Sequence, residues 1–228
     1  MPFPIFNILK RVSAGGIPTD QVWWMKYGVN ATVVSGRLTS WKDSLGGLAE
    51  FTVGQSIGLL DGGSYYQCVT DNSGMIANAS AEISWLDNTK NISIAIKMYN
   101  YGNTVYGGVL GSVGTAPQNY IIDQVWNTSK IRVHNGDSDN VYDGFWDQWQ
   151  TMVITIAEYP TPDASIPNMV VYHHAIAEVT NCDFRDTKNL NTIGYQNQLR
   201  EAKCLITDYM YFDRVLSESE AFAIINDL

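Results

Sequence analysis

No run in the 228 residues is long and apolar enough to cross a membrane as a helix, and neither an internal repeat nor a low-complexity tract is visible. Charge is scarce as well. Only 16% of residues are charged, and 14 Lys and Arg stand against 23 Asp and Glu, a formal net charge of −9. A binder of phosphate backbones needs basic side chains to displace counterions, so nucleic acid is not an expected partner. The same balance argues against adhesion to anionic lipid. Cysteine is limited to Cys68, Cys182 and Cys204, which cannot all pair within the chain. None is spaced as CxxC, which removes the usual zinc framework. They read as small buried hydrophobes in strands, with one disulfide plus one thiol as the alternative. A chain of this length buries roughly 70–75% of its unfolded surface, so neither a disulfide nor a metal is needed for stability.

What is abundant is glycine and aromatics: 19 Gly, 13 Tyr and 7 Trp. Apolar residues alternate at strand length. Phe51 and Val53 mark one strand, and Ile92, Ile94, Ile96 and Met98 a second. Met152, Ile154 and Ile156 mark a third, and Val170 with Tyr172 a fourth. Turn signals separate them at Asp61-Gly62-Gly63, Asn72-Ser73-Gly74, Asn135-Gly136-Asp137 and Asp143-Gly144. Many short strands with one helix near the end give an all-β sandwich.

The segment from Cys204 to Leu228 is the most informative. Strict alternation predicts that Ile206, Asp208, Met210 and Phe212 face one way and Leu205, Thr207, Tyr209 and Tyr211 the other. Ser217-Glu218-Ser219-Glu220 has the form of a capping box that opens a short helix at about 218–227. That helix cannot stand alone, so Ala221, Ile224, Ile225 and Leu228 are expected to lean on the body of the protein.

At the other end, MPFPIFNILKR is apolar. Its positive charges follow the apolar stretch and two prolines interrupt it, so it does not read as a secretory signal. Residues 1–20 are expected to form an extended arm with Gly15, Gly16 and Pro18 as a flexible exit, ahead of a domain over 21–228. Phe3, Ile5, Phe6, Ile8 and Leu9 would be costly to leave in water. Docking on a neighbouring subunit or partner would cover them, and so would packing along their own domain.

The closing residues Ile206, Asp208, Tyr211, Phe212, Arg214, Leu216, Ser217 and Glu220 resemble the final strand and helix of laminin-G-like, concanavalin A-like domains, with one residue more than usual between Ile206 and Asp208. The resemblance extends in order along residues 21–228. It takes in Trp23-Trp24, then Trp41-Lys42-Asp43, Asn91 to Met98, Gly108 to Ser112, Trp149 to Ile156 and Leu190 to Gly194. It departs at Tyr172-His173-His174-Ala175, where family members often turn with Asp or Asn followed by Gly. The resemblance implies a concanavalin A-like jelly-roll sandwich of two antiparallel sheets with a short C-terminal helix, of the kind found in bacteriophage structural proteins.

Glycanases of that class usually carry E-x-D-x-x-E on one strand, which places acid and nucleophile on one face. No such run occurs here, nor does GxSxG, and no cysteine has a catalytic context. An enzyme is therefore not expected. The loop Asn135 to Gly144 is the most acidic. Asp137, Asp139, Asn140 and Asp143 could converge on calcium, the one cofactor the sequence leaves open, although Tyr142 stands where an EF-hand needs glycine. A plain polar hairpin is the alternative. Tyr142, Asn140, Trp146 and Trp149 have the chemistry of a sugar-binding patch, with rings to stack on C–H faces and polar groups for hydroxyls. By the resemblance, however, Trp149 occupies a position that usually packs inside the sandwich.

The expectation is a non-enzymatic virion surface protein of a bacteriophage, decorating the capsid or belonging to the tail or fibre apparatus. The arm would contact other virion proteins, the sandwich would meet host-cell glycans, and the chain would be present in several copies as a homo-oligomer or within an assembly. A free carbohydrate-binding module or adhesin is the alternative, and a glycan-degrading enzyme a third reading.

Overall fold

The computed structural model describes residues 16–53, 57–68, 73–84, 91–100, 107–111, 120–124, 131–134, 139–142, 148–158, 169–174, 176–180, 189–194 and 203–228. The strands in chain order begin with Trp23–Lys26 (β1), Ala31–Val34 (β2), Arg37–Lys42 (β3), Glu50–Thr52 (β4), Leu59–Asp61 (β5), Tyr66–Gln67 (β6) and Met75–Ala77 (β7). Ile83–Ser84 (β8), Ile92–Asn100 (β9), Gly107–Gly111 (β10), Tyr120–Gln124 (β11), Ile131–His134 (β12) and Asp139–Tyr142 (β13) follow. The last are Trp149–Ile156 (β14), Met169–His173 (β15), Ile176–Thr180 (β16), Asn189–Leu190 (β17), Thr192–Ile193 (β18) and Cys204–Phe212 (β19). One helix, Glu218–Asp227 (α1), ends the chain.

Every pairing among the described residues is antiparallel. One layer runs β1, β19, β9, β14, β15, β16. The other runs β2, β3, β4, β7, β18, β10, β11, β12, β13. The short strands β5 and β6 bond β3 to β19 and so fold one layer over the other. The long strands are the sequence's strongest alternators. In β9, Ile92, Ile94, Ile96 and Met98 point into the space between the layers, beside Met152, Ile154 and Ile156 of β14. Phe51, Leu38 and Trp41 fill that space from the second layer, and Trp23 and Met25 from β1. Trp41 has its indole N–H on the Lys26 carbonyl at 3.0 Å. Two residues on, the buried Asp43 carboxylate accepts from the backbone N–H groups of Trp24, Leu45 and Gly47 at 2.9–3.0 Å. The Trp-x-Asp pair is thus a structural brace.

A second apolar cluster lies outside the first layer. Ala95, Val153, Tyr172, Met210 and Phe212 are covered by Leu216, Ala221 and Ile224 of the closing segment, with Ile225 and Leu228 packed at the margin. The helix leans on the sheet through the expected residues, and its capping box is present: the Ser217 backbone N–H donates to Glu220 at 2.8 Å.

One expectation changes. The faces of β19 do not alternate strictly, because Ile206 opposes Met98 while Asp208 opposes Lys97, leaving Thr207 as an extra residue in a bulge. A bulge turns everything beyond it to the opposite face. Ile206 therefore shares the inner core with Tyr209, while Met210 and Phe212 lie under the helix. The additional residue noted between Ile206 and Asp208 is the physical cause. Of the expected arm, the residues from Gly16 to Asp20 are described. Ile17 packs against the outer cluster, and Asp20 is held by Arg214. Phe3, Ile5, Phe6, Ile8, Leu9 and Gly15 lie outside the described residues.

Arg214 binds Asp20 with one side of its guanidinium and Glu220 with two N–H groups, at 2.7 and 2.9 Å. These bonds, with help from Ser217, hold the Glu220 carboxyl down to about 2. A carboxyl depressed on folding adds stability above its ordinary range near 4.5, and that stability is lost as pH falls toward 2. The site is half open to solvent, so Glu220→Gln is expected to lower stability at pH 6 by only about 1 kcal/mol. Urea midpoints at pH 6 and pH 3 check this: the variant's acid loss should be smaller than the parent's, and equal losses would remove Glu220 from the account.

Candidate functional site

The register of the first layer arranges its outer surface in rows, because directly opposed residues share a face. The row farthest from the helix reads Gln67, Leu205, Tyr99, Trp149. The next reads Lys26, Asp208, Lys97, Thr151. The third reads Trp24, Met210, Ala95, Val153, Tyr172, and it is here that α1 begins to cover the sheet. Rows are about 7 Å apart, two residues along a strand. Half of this face is therefore roofed by the helix, and half presents an aromatic row beside a charged one.

Trp149 opens β14 and is 39% exposed. It does not pack inside the sandwich. Its ring meets Tyr99 edge-on at 5.7 Å and Tyr65 at 6.2 Å between centroids. Tyr65 comes from the β5–β6 turn and is placed by the Asp61-Gly62-Gly63 signal. The Gly62 N–H donates to the Tyr65 carbonyl at 2.9 Å, and a Cβ on Gly62 would lie 2.1 Å from the Tyr65 ring. Only glycine lets that ring lie back over the turn.

The charged row is also braced. The Trp24 indole N–H donates to Asp208 at 2.9 Å, and Lys26 Nζ sits 4.8 Å from the Trp24 ring centre. This leaves the ammonium groups of Lys26 and Lys97 on the half of the face outside the helix, in the row of the buried Asp208 carboxylate that Trp24 already engages. Rings with adjacent hydrogen-bonding groups can stack on a sugar's C–H face while binding its hydroxyls or an attached carboxylate.

Of the residues singled out from the sequence, Trp149 belongs to this surface. Asp139, Asn140 and Tyr142 lie on β13, opposite His134, Val133 and Ile131, at the edge of the other layer. Trp146, Asp137 and Asp143 lie outside the described residues. Among the described residues, no three His, Cys, Asp or Glu side chains converge as metal ligands. Sequence reasoning missed Tyr99, Tyr65 and Lys97. Tyr99 continues the Ser93, Ala95, Lys97 face of β9, but its value lies in standing opposite Trp149. Of the two adjacent histidines, His173 is buried at the end of β15, and His174 is exposed with φ 50°, where the chain departs from the family pattern.

Behind Trp149, the next side chain points inward. Gln150 is 5% exposed, and neither atom of its amide has a hydrogen-bond partner among the described residues. A buried amide left without partners costs about 1–3 kcal/mol. Gln150→Met keeps the volume and is expected to raise stability by about 1–2 kcal/mol, seen as a higher denaturation midpoint. A lowered midpoint would mean that the amide is satisfied in solution by water or ligand.

No family model and no curated protein matches the sequence. Solved structures do match in shape. Trypanosoma rangeli sialidase superposes with a TM-score of 0.63 at 14% identity, over 91% of this chain and 33% of the sialidase. The same sialidase in complex with sialic acid superposes over 96% of this chain at a TM-score of 0.61 and 13% identity, again over about a third (36%) of its length. The ligand-binding domain of botulinum neurotoxin serotype D, in complex with N-acetylneuraminic acid, gives 0.57 at 15% identity, over 90% of this chain and 50% of that one. The fold is a concanavalin A-like sandwich. At these identities the likeness concerns the sandwich alone, and the chain spans only a third to a half of the proteins it matches.

Proposed function

We propose that this chain is a non-enzymatic glycan-recognition protein carried on the surface of a bacteriophage particle, in the capsid decoration or the tail or fibre apparatus. The observation that carries the recognition half is the half of the first layer's outer face that the helix leaves uncovered, with Trp149, Tyr99 and Tyr65 beside Lys97. Proteins that match this shape over a third to a half of their own length were solved in complex with sialic acid or N-acetylneuraminic acid, which makes a sugar the first ligand to test. Among the described residues, the two buried carboxylates, Asp43 and Asp208, are engaged as braces, which supports binding without hydrolysis. The particle half rests on the family resemblance of residues 21–228 and on the apolar residues Phe3 to Leu9, which would contact other virion proteins.

A glycan array probed with and without calcium tests recognition, and silence in both conditions would sink it. Mass spectrometry of purified particles tests location. If the chain binds glycans but is absent from particles, it is a free carbohydrate-binding module or adhesin. Shortened polysaccharide after long incubation would make it an enzyme.

A further inference from the structure

Cys68 follows β6 and Cys204 opens β19. The register of these strands pairs Gln67 with Leu205 and Tyr66 with Ile206, so the two cysteines fall directly opposite each other. The Cys68 backbone N–H donates to the Cys204 carbonyl at 3.0 Å, which continues the ladder by one pair. Both are thiols, their sulfur atoms are 3.9 Å apart, and both are essentially out of contact with water, at 1% and 0% exposure.

Directly opposed residues of an antiparallel pair have Cα atoms about 4.5–5.5 Å apart. Disulfide-linked residues span about 4.4–6.8 Å, and the sulfurs need close only to about 2.05 Å. Side-chain rotation covers the difference without moving the strands. Space beside Cys68 is reserved by Gly194, whose φ is +68° and where a Cβ would lie 2.4 Å from the Cys68 sulfur.

We propose that Cys68 and Cys204 are the two halves of a cross-strand disulfide that closes when the protein folds under oxidising conditions. With oxidised glutathione as the oxidant, one cysteine thiolate attacks its disulfide, giving a mixed disulfide and one glutathione thiolate. The second cysteine thiolate then attacks the mixed disulfide at the protein sulfur and expels the second glutathione. Two protein thiols lose two electrons and two protons, and one oxidised glutathione becomes two reduced molecules. The hydrogen bond to the neighbouring Cys68 thiol, and then burial, push the Cys204 thiol up and keep it protonated in the folded protein, so the exchange belongs to folding or to transient opening of β6. The bond would staple β6, part of the fold-over between layers, to the first residue of β19 in the first layer. In a reducing cytosol the thiols would persist. This inference is independent of the proposed function.

The test is refolding the full-length protein from urea in a buffer poised with oxidised glutathione, followed by peptide mapping without reduction. The expected product is a linked peptide pair containing Cys68 and Cys204, about 2 Da lighter than the reduced pair. The melting temperature should rise by roughly 5–15 °C and fall back on adding reductant. Persistent alkylation of both thiols after oxidative refolding would overturn the proposal. So would a dominant disulfide to Cys182, and a Cys182→Ser chain run in parallel must give the same linked peptide. Cys204→Ala should abolish the linked peptide and the reductant-sensitive part of the melting shift.

Discussion

Replacing Trp23 by alanine is expected to remove about 3–5 kcal/mol of folding stability, a large part of the roughly 5–15 kcal/mol that holds a domain together. Trp23 is 1% exposed and sits where three elements meet. Its ring stands edge-on to Tyr209 of β19 at 4.8 Å and to Phe51 of β4 at 5.9 Å, and tilts against Tyr211 at 5.7 Å. The side chain joins the two layers through rings as well as through area, and no neighbour can collapse into the space without breaking those contacts. Guanidinium unfolding followed by far-UV circular dichroism measures the loss. Trp23→Phe should retain more than half of the stability that Trp23→Ala loses. A cost below about 1 kcal/mol for Trp23→Ala would mean that the inner core is packed differently around this ring.

On the proposed glycan-recognition reading, Trp149→Ala is expected to weaken binding of an N-acetylneuraminic acid-terminated glycan by about 10- to 100-fold, or about 1.4–2.8 kcal/mol. Thermal stability should change little, because the ring is partly exposed and its partners Tyr99 and Tyr65 are held by β9 and the β5–β6 turn. Trp149→Phe should recover much of the affinity, since stacking needs a ring and not an indole. Lys97→Ala should cost less and do so in a salt-dependent way, as exposed charge contacts are screened. Surface plasmon resonance on an immobilised glycan, run at two salt concentrations, separates the two contributions. Full affinity in Trp149→Ala would move the binding surface away from the open half-face.

Several of the long strands, the helix with its cap and the apolar residues beneath it were legible because they depend on local alternation and capping. Residues 92–98 and 152–156 carry their period in the sequence, and the structure places those residues in paired central strands. The faces of β19 were misread for a reason the sequence did display. The extra residue was visible, but its consequence depends on what lies opposite, and Lys97 opposes Asp208 only once β9 is paired. The site was half legible for the same reason. Trp149 could be singled out as an aromatic beside a polar loop, whereas Tyr99 and Tyr65 become relevant only through partners 50 and 84 positions away. Strand register creates such neighbours, and a single chain read from end to end does not reveal it.

The clasp around Arg214 has a mechanical consequence. Strands β1 and β19 are antiparallel neighbours with Trp23 opposite Tyr211, so the segment entering β1 and the segment leaving β19 meet at one corner of the sheet. Tension drawn through residues ahead of Asp20 would peel this ladder open like a zipper, starting from the Val22–Tyr211 backbone bond, instead of shearing all its bonds together. Arg214 sits at that corner with Asp20 on one side of its guanidinium and Glu220 of the helix on the other. Any load on the N-terminal segment reaches this charged clasp before it reaches the first backbone bond, and the clasp shares the pull with the closing helix.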